Sequence, residues 1–140
     1  MTDRQLDTWK KVRTVGTVNL VIGIIWLVFT LLAILGSLVL IIANFSIPND
    51  SGPPTPSNVV GIILIVITII FLLPFAILNI ISGIKLRKPI ANPKGWLIYT
   101  IVVGVIGIQS ITGIIQLIFG ILALGTLSDI EGTQPPEKIS

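Results

Sequence analysis

Three long apolar runs without a charged side chain constrain the fold: residues 15–43, 59–84 and 97–127. About 20 such residues cross the ~30 Å hydrocarbon core of a bilayer as an α-helix. Charged residues form 11% of the chain, whereas soluble domains carry about 25%. Membrane-spanning strands would alternate in short segments, so these continuous runs predict an all-α integral membrane helical bundle in one domain, residues 1–140. The first run exceeds the ~7–15-residue core of a signal peptide, and we expect it to be retained.

The third run decides how many helices the bundle contains. As one helix, residues 97–127 would extend ~45 Å at ~1.5 Å per residue, more than an ordinary tilt absorbs. As a hairpin, each arm would span only ~22 Å, which is short for a crossing. The centre of the run holds Gly107, Gln109, Ser110 and Gly113, and Ser110 suits a helix N-cap, which favours the hairpin. We predict four transmembrane helices, with three as the alternative, and place the four near residues 12–43, 59–86, 94–108 and 110–127.

Basic residues flank the apolar runs in two places. The N-terminal arm and the loop at residues 85–94 are rich in lysine and arginine, whereas the proline-rich loop at residues 44–58 contains neither. Because positively charged loops stay in the cytoplasm, we expect a multi-pass plasma membrane protein with a cytoplasmic N-terminus and residues 44–58 outside. The orienting residues are Lys10, Lys11, Arg13, Lys85, Arg87, Lys88 and Lys94. The predicted interfacial anchors at the same face are Trp9, Trp96 and Tyr99.

Small residues recur every seven positions in the first run: Gly16, Gly23, Thr30 and Ser37. In lipid, helices associate largely through close backbone approach, so small residues gather at helix interfaces. We expect this stripe to face another helix, and the alternative is the general abundance of glycine in membrane helices. Two shorter pairs repeat the spacing and are predicted to pack in the same way: Gly61 with Thr68, and Gly113 with Gly120.

Four amide side chains interrupt the runs: Asn19, Asn79, Gln109 and Gln116. Asn19 and Asn79 lie at similar depths in two antiparallel runs, so we expect them to hydrogen-bond across the helix pair. Gln109 is expected at the hairpin tip, where water would satisfy it. Gln116 is expected to bind a partner helix or another protomer, and the alternative is a neighbouring backbone carbonyl.

Pro74 interrupts the second run. Because proline has no amide N–H, it removes a hydrogen bond to the preceding turn, and we expect a kink there. Transporters use such breaks at binding sites. A tolerated structural kink is the favoured interpretation.

The two short arms of the third run enclose a Gly-rich tip and end in GIIQLIFGILAL. Over about the last third of the chain, the sequence resembles an uncharacterised family of small four-span proteins from Gram-positive bacteria. This resemblance rests on glycine and aliphatic residues. It implies a bacterial plasma membrane protein, and it carries over no catalytic residue and no substrate.

Residues that carry chemistry are scarce. No Asp, Glu, Lys or Arg lies within a run, which argues against proton-coupled transport and intramembrane acid–base catalysis. The chain has no Cys and no His, so the usual ligands of zinc and haem are missing and we expect no metal and no cofactor. The net charge of +3 comes from residues flanking the runs, and it indicates orientation rather than nucleic-acid binding.

The expected function is therefore non-enzymatic. The chain would serve as a structural, accessory or interaction subunit of a membrane complex, and an immunity-type role fits the same features. Its partners would be the lipid bilayer and either another membrane protein or a second copy of itself. The alternative is an oligomeric channel or carrier for an uncharged or lipid-like substrate. A continuous polar groove would favour that alternative, whereas a dry core would favour an accessory protein.

Overall fold

The computed structural model describes residues 1–45, 56–88 and 92–136, and every regular element within them is helical. This confirms the all-α prediction for the described part of the chain. Residues 46–55 of the predicted outer loop and 89–91 of the basic loop lie outside it. The elements are α1 (Asp3–Phe45), α2 (Pro56–Ile67), a π-helical turn (Thr68–Leu72), α3 (Leu73–Arg87), α4 (Lys94–Ile106), α5 (Ile111–Gly125) and a 3-10 turn (Leu127–Ile130).

Helix α1 begins at Asp3, well before the predicted start near residue 12. The backbone N–H of Thr2 donates to Gln5 Oε1 over 3.0 Å, and the N–H of Gln5 donates to Thr2 Oγ1 over 3.3 Å. These reciprocal bonds form a capping box, which satisfies backbone donors that a helix start leaves without partners. Asp3 in the first turn complements the helix dipole. The polar N-terminal arm is therefore the first three turns of α1.

The chain divides into two compact units. The first comprises residues Met1–Gly23 and Leu78–Ser140, and thus the start of α1, the end of α3, and α4 with α5. The second comprises Ile24–Ile77, with the rest of α1, α2 and the π-helical turn. Helix α1 contributes residues to both units.

The third apolar run forms two helices, which confirms the predicted hairpin. Ser110 has extended backbone angles at the start of α5, and its hydroxyl accepts from the N–H of Gly113 as an N-cap. Glycines let the two arms approach closely. A Cβ on Gly104 would lie 2.7 Å from the backbone nitrogen of Leu117, and one on Gly113 would collide with the carbonyl of Gly107.

A cluster of buried apolar side chains joins the helix ends of the first unit. It contains residues from the start of α1, the end of α3, the start of α4, the end of α5 and the 3-10 turn. Its members are Trp9, Val12, Val15, Leu86, Leu97, Ala123 and Ile130. The hydroxyl of Thr8 also donates to the carbonyl of Thr126 over 3.4 Å. The two ends of the α4–α5 hairpin therefore lie beside the start of α1.

The helix at residues 56–87 departs from α geometry just before Pro74. The N–H of Leu73 donates to the carbonyl of Thr68, five residues earlier, which closes the wider ring of a π-helical turn. Proline has no N–H to offer the preceding turn, and an inserted π-turn is one way in which helices accommodate that gap.

Candidate functional site

Five buried polar side chains form the candidate site, which we call the amide cluster: Asn19, Asn79, Ser82, Thr100 and Gln116. Each is at most 1% exposed, and all lie in the first unit. Asn19 comes from α1, Asn79 and Ser82 from α3, Thr100 from α4 and Gln116 from α5. The amide cluster is therefore the place where four helices meet through polar side chains.

Hydrogen bonds connect all five members of the amide cluster. Gln116 Nε2 donates to Asn79 Oδ1 over 2.6 Å and to Asn19 Oδ1 over 3.2 Å. Asn19 Nδ2 donates to Thr100 Oγ1 over 2.6 Å and to Ser82 Oγ over 2.9 Å. The hydroxyl of Thr100 in turn donates to the carbonyl of Trp96 in its own helix. The side chains thus use one another as hydrogen-bond partners.

Glycines beside the amide cluster bring the helix backbones together. A Cβ on Gly83 would lie 2.5 Å from the backbone nitrogen of Leu20, and one on Gly16 would lie 2.9 Å from that of Arg87. On the other side, a Cβ on Gly120 would lie 2.8 Å from Ile101 Cγ1. Short side chains reach across the helix contacts only because these backbones are so close. The sequence does not predict the packing role of Gly83 and Gly104. Neither continues the seven-residue spacing of Gly61 with Thr68 or of Gly113 with Gly120.

The amide cluster offers hydrogen-bonding groups and no acid or base. It contains only amides and hydroxyls, so it holds no group that exchanges a proton near neutral pH. Ser82 accepts a hydrogen bond from an amide, which cannot act as the base that a serine nucleophile needs. Among the described residues, no group of three His, Cys, Asp or Glu could hold a metal ion. What the cluster supplies is directional hydrogen bonding between helices.

The small residues singled out in the sequence are all buried. In the second unit, a Cβ on Gly61 would lie 3.0 Å from Ile41 Cγ1 and 3.6 Å from the carbonyl of Ser37. Thr30 and Ser37 each donate to a carbonyl four residues earlier in α1, as hydroxyls in helices commonly do. The buried set is Gly16, Gly23, Thr30, Ser37, Gly61, Thr68, Gly113 and Gly120.

Two amide predictions change once the structure is known. Gln116 Nε2 bridges Asn19 in α1 and Asn79 in α3 by donating to the Oδ1 atom of each, and a direct bond between the two asparagines stays a prediction. The predicted contact of Gln116 with another protein or a backbone carbonyl is corrected, because its Nε2 bonds to side chains of this chain. Gln116 shares the inward face of α5 with Gly113 and Gly120, which explains its position. Gln109 is exposed at the hairpin tip.

The predicted interfacial anchors differ in how deeply they are buried. Trp9 is 3% exposed and belongs to the buried apolar cluster that also contains Ile130. Its predicted anchoring to lipid headgroups is therefore corrected to core packing. Trp96 and Tyr99 remain half-buried and meet edge to face with ring centroids 6.0 Å apart.

The orienting basic residues lie at the surface of the first unit. Lys11 pairs with Asp7 over 2.9 Å, one helical turn away. Lys11 and Arg13 are half-buried, whereas the exposed ones are Lys10, Lys85, Arg87, Lys88 and Lys94.

A cavity of ≈ 530 Å³ lies between the start of α4 and the 3-10 turn. Its lining includes Lys94, Ile98, Leu124, Leu127 and Glu131. None of the amide cluster residues lines it, so the cavity and the cluster are separate features.

No protein-family model, curated protein or solved structure matches the chain. The resemblance to small four-span bacterial proteins therefore stays a prediction. The described residues define an all-helical protein with two helices long and apolar enough to cross a membrane, Asp3–Ala43 and Asn58–Arg87.

Proposed function

We propose that the protein is a multi-pass plasma membrane protein with α1, the helix at residues 56–87, α4 and α5 all embedded in the bilayer. The observation that carries this proposal is the exposure of apolar side chains. The most apolar 18-residue window of each long helix is mostly exposed: the buried share of that window is 11% in Asp3–Ala43 and 17% in Asn58–Arg87. The core helix of a soluble protein would bury most of such a window. An uncovered apolar surface of this extent calls for lipid around it.

Charge supports a cytoplasmic position for both ends of the chain. Every charged side chain in the described residues lies in 3–13, 85–94 or 129–131. The buried apolar cluster gathers these three segments at one end of the first unit. Because an excess of lysine and arginine marks the cytoplasmic side, we place this end there, and residues 46–55 outside.

Within the membrane, we propose a non-enzymatic role as a structural or accessory subunit that binds another membrane protein or a second copy of itself. An immunity-type role is one form of this activity. The amide cluster supports a structural role because its polar groups bond to one another across helices. Interhelical bonds of this kind contribute ~0.6 kcal/mol on average and fix which helix faces meet.

A carrier or channel for an uncharged or lipid-like substrate has less support. Such a protein needs polar groups that stay available along a path. The hydroxyls of Thr30 and Ser37 bond to their own helix, and the amide cluster bonds internally. These residues therefore give a substrate few free partners.

Affinity purification of the tagged chain in mild detergent, followed by mass spectrometry and native sizing, tests the accessory role. We expect either a stoichiometric second membrane protein, whose abundance falls when this chain is deleted, or a defined homo-oligomer. A monomer without a stoichiometric partner would overturn the proposal. Substrate flux through proteoliposomes of the pure chain would favour the carrier instead.

A further inference from the structure

We propose that the α4–α5 hairpin is re-entrant: it enters the bilayer from the face that carries Lys94, and its tip ends inside the hydrocarbon core, covered by acyl chains. This inference rests on the proposed membrane location. The inference concerns an exposed surface at the hairpin tip, which we call the isoleucine tip and define as Ile106, Ile108 and Ile111. We expect this surface to contact the interior of the lipid bilayer.

The hairpin is too short to cross a bilayer. Helix α4 has 13 residues and α5 has 15. At ~1.5 Å per residue the arms reach ~20 Å and ~22 Å, against a hydrocarbon core of ~30 Å. Any tilt shortens this reach further. If the base of the hairpin lies at the membrane surface, its tip stops well short of the opposite surface.

Charged residues fix the base of the hairpin at the membrane surface. Lys94 begins α4 and is exposed, and Asp129 and Glu131 follow α5 and are also exposed. Leu97 and Ala123, one from each arm, lie in the same buried cluster as Trp9. Because moving Lys94 or Glu131 into hydrocarbon is costly, the base cannot slide inward to let the tip emerge on the far side.

The isoleucine tip is among the most exposed apolar surfaces of the chain. Ile106 is 72% exposed, Ile108 54% and Ile111 78%. A crossing hairpin would present these side chains to water on the outer face. A re-entrant hairpin places them among acyl chains, where apolar side chains are stable.

Several backbone groups at the tip bond within the hairpin. The N–H of Gly107 donates to the Val103 carbonyl over 2.9 Å, and the N–H of Ser110 donates to the Gly107 carbonyl over 2.8 Å. The Ser110 hydroxyl donates to that same carbonyl and accepts from the N–H of Gly113. Because lipid offers no hydrogen-bond partners, a turn inside the bilayer needs this kind of closure. Gln109 is exposed there and uncharged.

Cysteine accessibility tests the inference cleanly, because the natural chain contains no cysteine. Three single-cysteine variants are required: Gln109→Cys at the tip, Ser128→Cys near the base and Pro56→Cys at the start of α2, all at exposed positions. Each is treated with a membrane-impermeant maleimide in intact cells, in inverted vesicles and after detergent is added. We expect Pro56→Cys to react in intact cells and Ser128→Cys in inverted vesicles. Gln109→Cys should react only after detergent is added.

Labelling of Gln109→Cys in intact cells would overturn the inference in favour of a complete crossing. Labelling of Gln109→Cys in inverted vesicles would overturn it by showing that the hairpin does not enter the bilayer. A fluorophore on Gln109→Cys gives a second measurement, in which spin labels deep in the acyl chains should quench more strongly than labels at the headgroups. Release of the whole chain by alkaline carbonate would instead defeat the proposed membrane location, which is a distinguishable failure.

Discussion

At the scale of single residues, Gln116 is the member of the amide cluster that bonds to both asparagines. We expect Gln116→Leu to lower the stability of the detergent-solubilised protein by about 1–3 kcal/mol, because Asn19 and Asn79 each lose a hydrogen bond worth ~0.6–1.7 kcal/mol. The readout is the thermal unfolding midpoint. Gln109→Leu is the matched control, since it makes the same change at an exposed position. Equal midpoints for the two variants would contradict the role given to Gln116.

A second residue-scale prediction concerns Gly83, where any side chain meets backbone. A Cβ there would lie 2.5 Å from the nitrogen of Leu20, so Gly83→Ala should destabilise the first unit by about 1–3 kcal/mol through overpacking. Gly36→Ala is the control, because that helical glycine has nothing within 4 Å of a Cβ. It should be neutral or stabilising by up to ~1 kcal/mol through helix propensity. If Gly83→Ala left the thermal unfolding midpoint unchanged, the backbones at Gly83 and Leu20 would have to be further apart than described.

Only part of the amide cluster can be predicted from the sequence. Asn19 and Asn79 can be paired from their depth, because amides are rare in apolar runs and their spacing from the charged ends is visible. Ser82 and Thr100 carry no such signal, since hydroxyls in helices commonly bond to their own turn. Their place depends on how closely the helix backbones approach, which is a tertiary property. The partner of Gln116 was mistaken for the same reason.

At the scale of elements, the π-helical turn keeps small residues on one face of the helix at residues 56–87. Gly61 and Thr68 are seven residues apart, and so are Ala76 and Gly83, but Thr68 and Ala76 are eight apart. All four are buried. A π-helical turn takes up one extra residue, and Thr68–Leu72 forms such a turn between the two pairs. The extra residue explains why the spacing in the sequence appeared to stop at Thr68.

This explanation predicts the effect of deleting one residue. Deleting Ile70, an exposed residue of the π-helical turn, should restore α geometry while Ala76 and Gly83 stay on the buried face, so the protein should still fold. Deleting the exposed Leu32 of α1 should rotate the later residues of α1 by ~100° about the helix axis. This deletion should lower the unfolding midpoint much more than deletion of Ile70 does. Size-exclusion profiles and unfolding midpoints in detergent compare the two variants. Equal damage from both deletions would show that the π-helical turn does not absorb the extra residue.

Most of the elements can be predicted from the sequence, because uncharged runs and their lengths identify membrane-type helices directly. The hairpin break was visible in the glycines and the capping Ser110. The exact start of α1 follows from Thr2 and Gln5, which have the spacing of a capping box. The kink predicted at Pro74 stays a prediction, and the π-helical turn before it could not be predicted, because a missing N–H can be accommodated in several ways.

At the scale of the whole molecule, charge is unevenly distributed. Every charged side chain among residues 1–45, 56–88 and 92–136 belongs to the first unit, and the described part of the second unit carries none. The described part of the second unit therefore has an uncharged surface, with Phe29 and Phe71 among its exposed side chains. For the proposed membrane protein, we therefore expect the first unit to set the orientation through the basic residues at its surface.

This charge distribution predicts the side on which the C-terminus lies. The two arms of the hairpin return the chain to the end of the first unit where α1 begins, so a reporter fused after residue 140 should be cytoplasmic, as should one fused before residue 1. Replacing Lys85, Arg87, Lys88 and Lys94 with glutamine should weaken this preference and give a mixed signal, because lysine and arginine near the helix ends determine orientation. Replacing Asp129 and Glu131 with the matching amides should leave it unchanged, since acidic residues contribute little. A C-terminal reporter found outside the cell would restore the three-helix alternative and would require α4 and α5 to form one continuous helix in the bilayer.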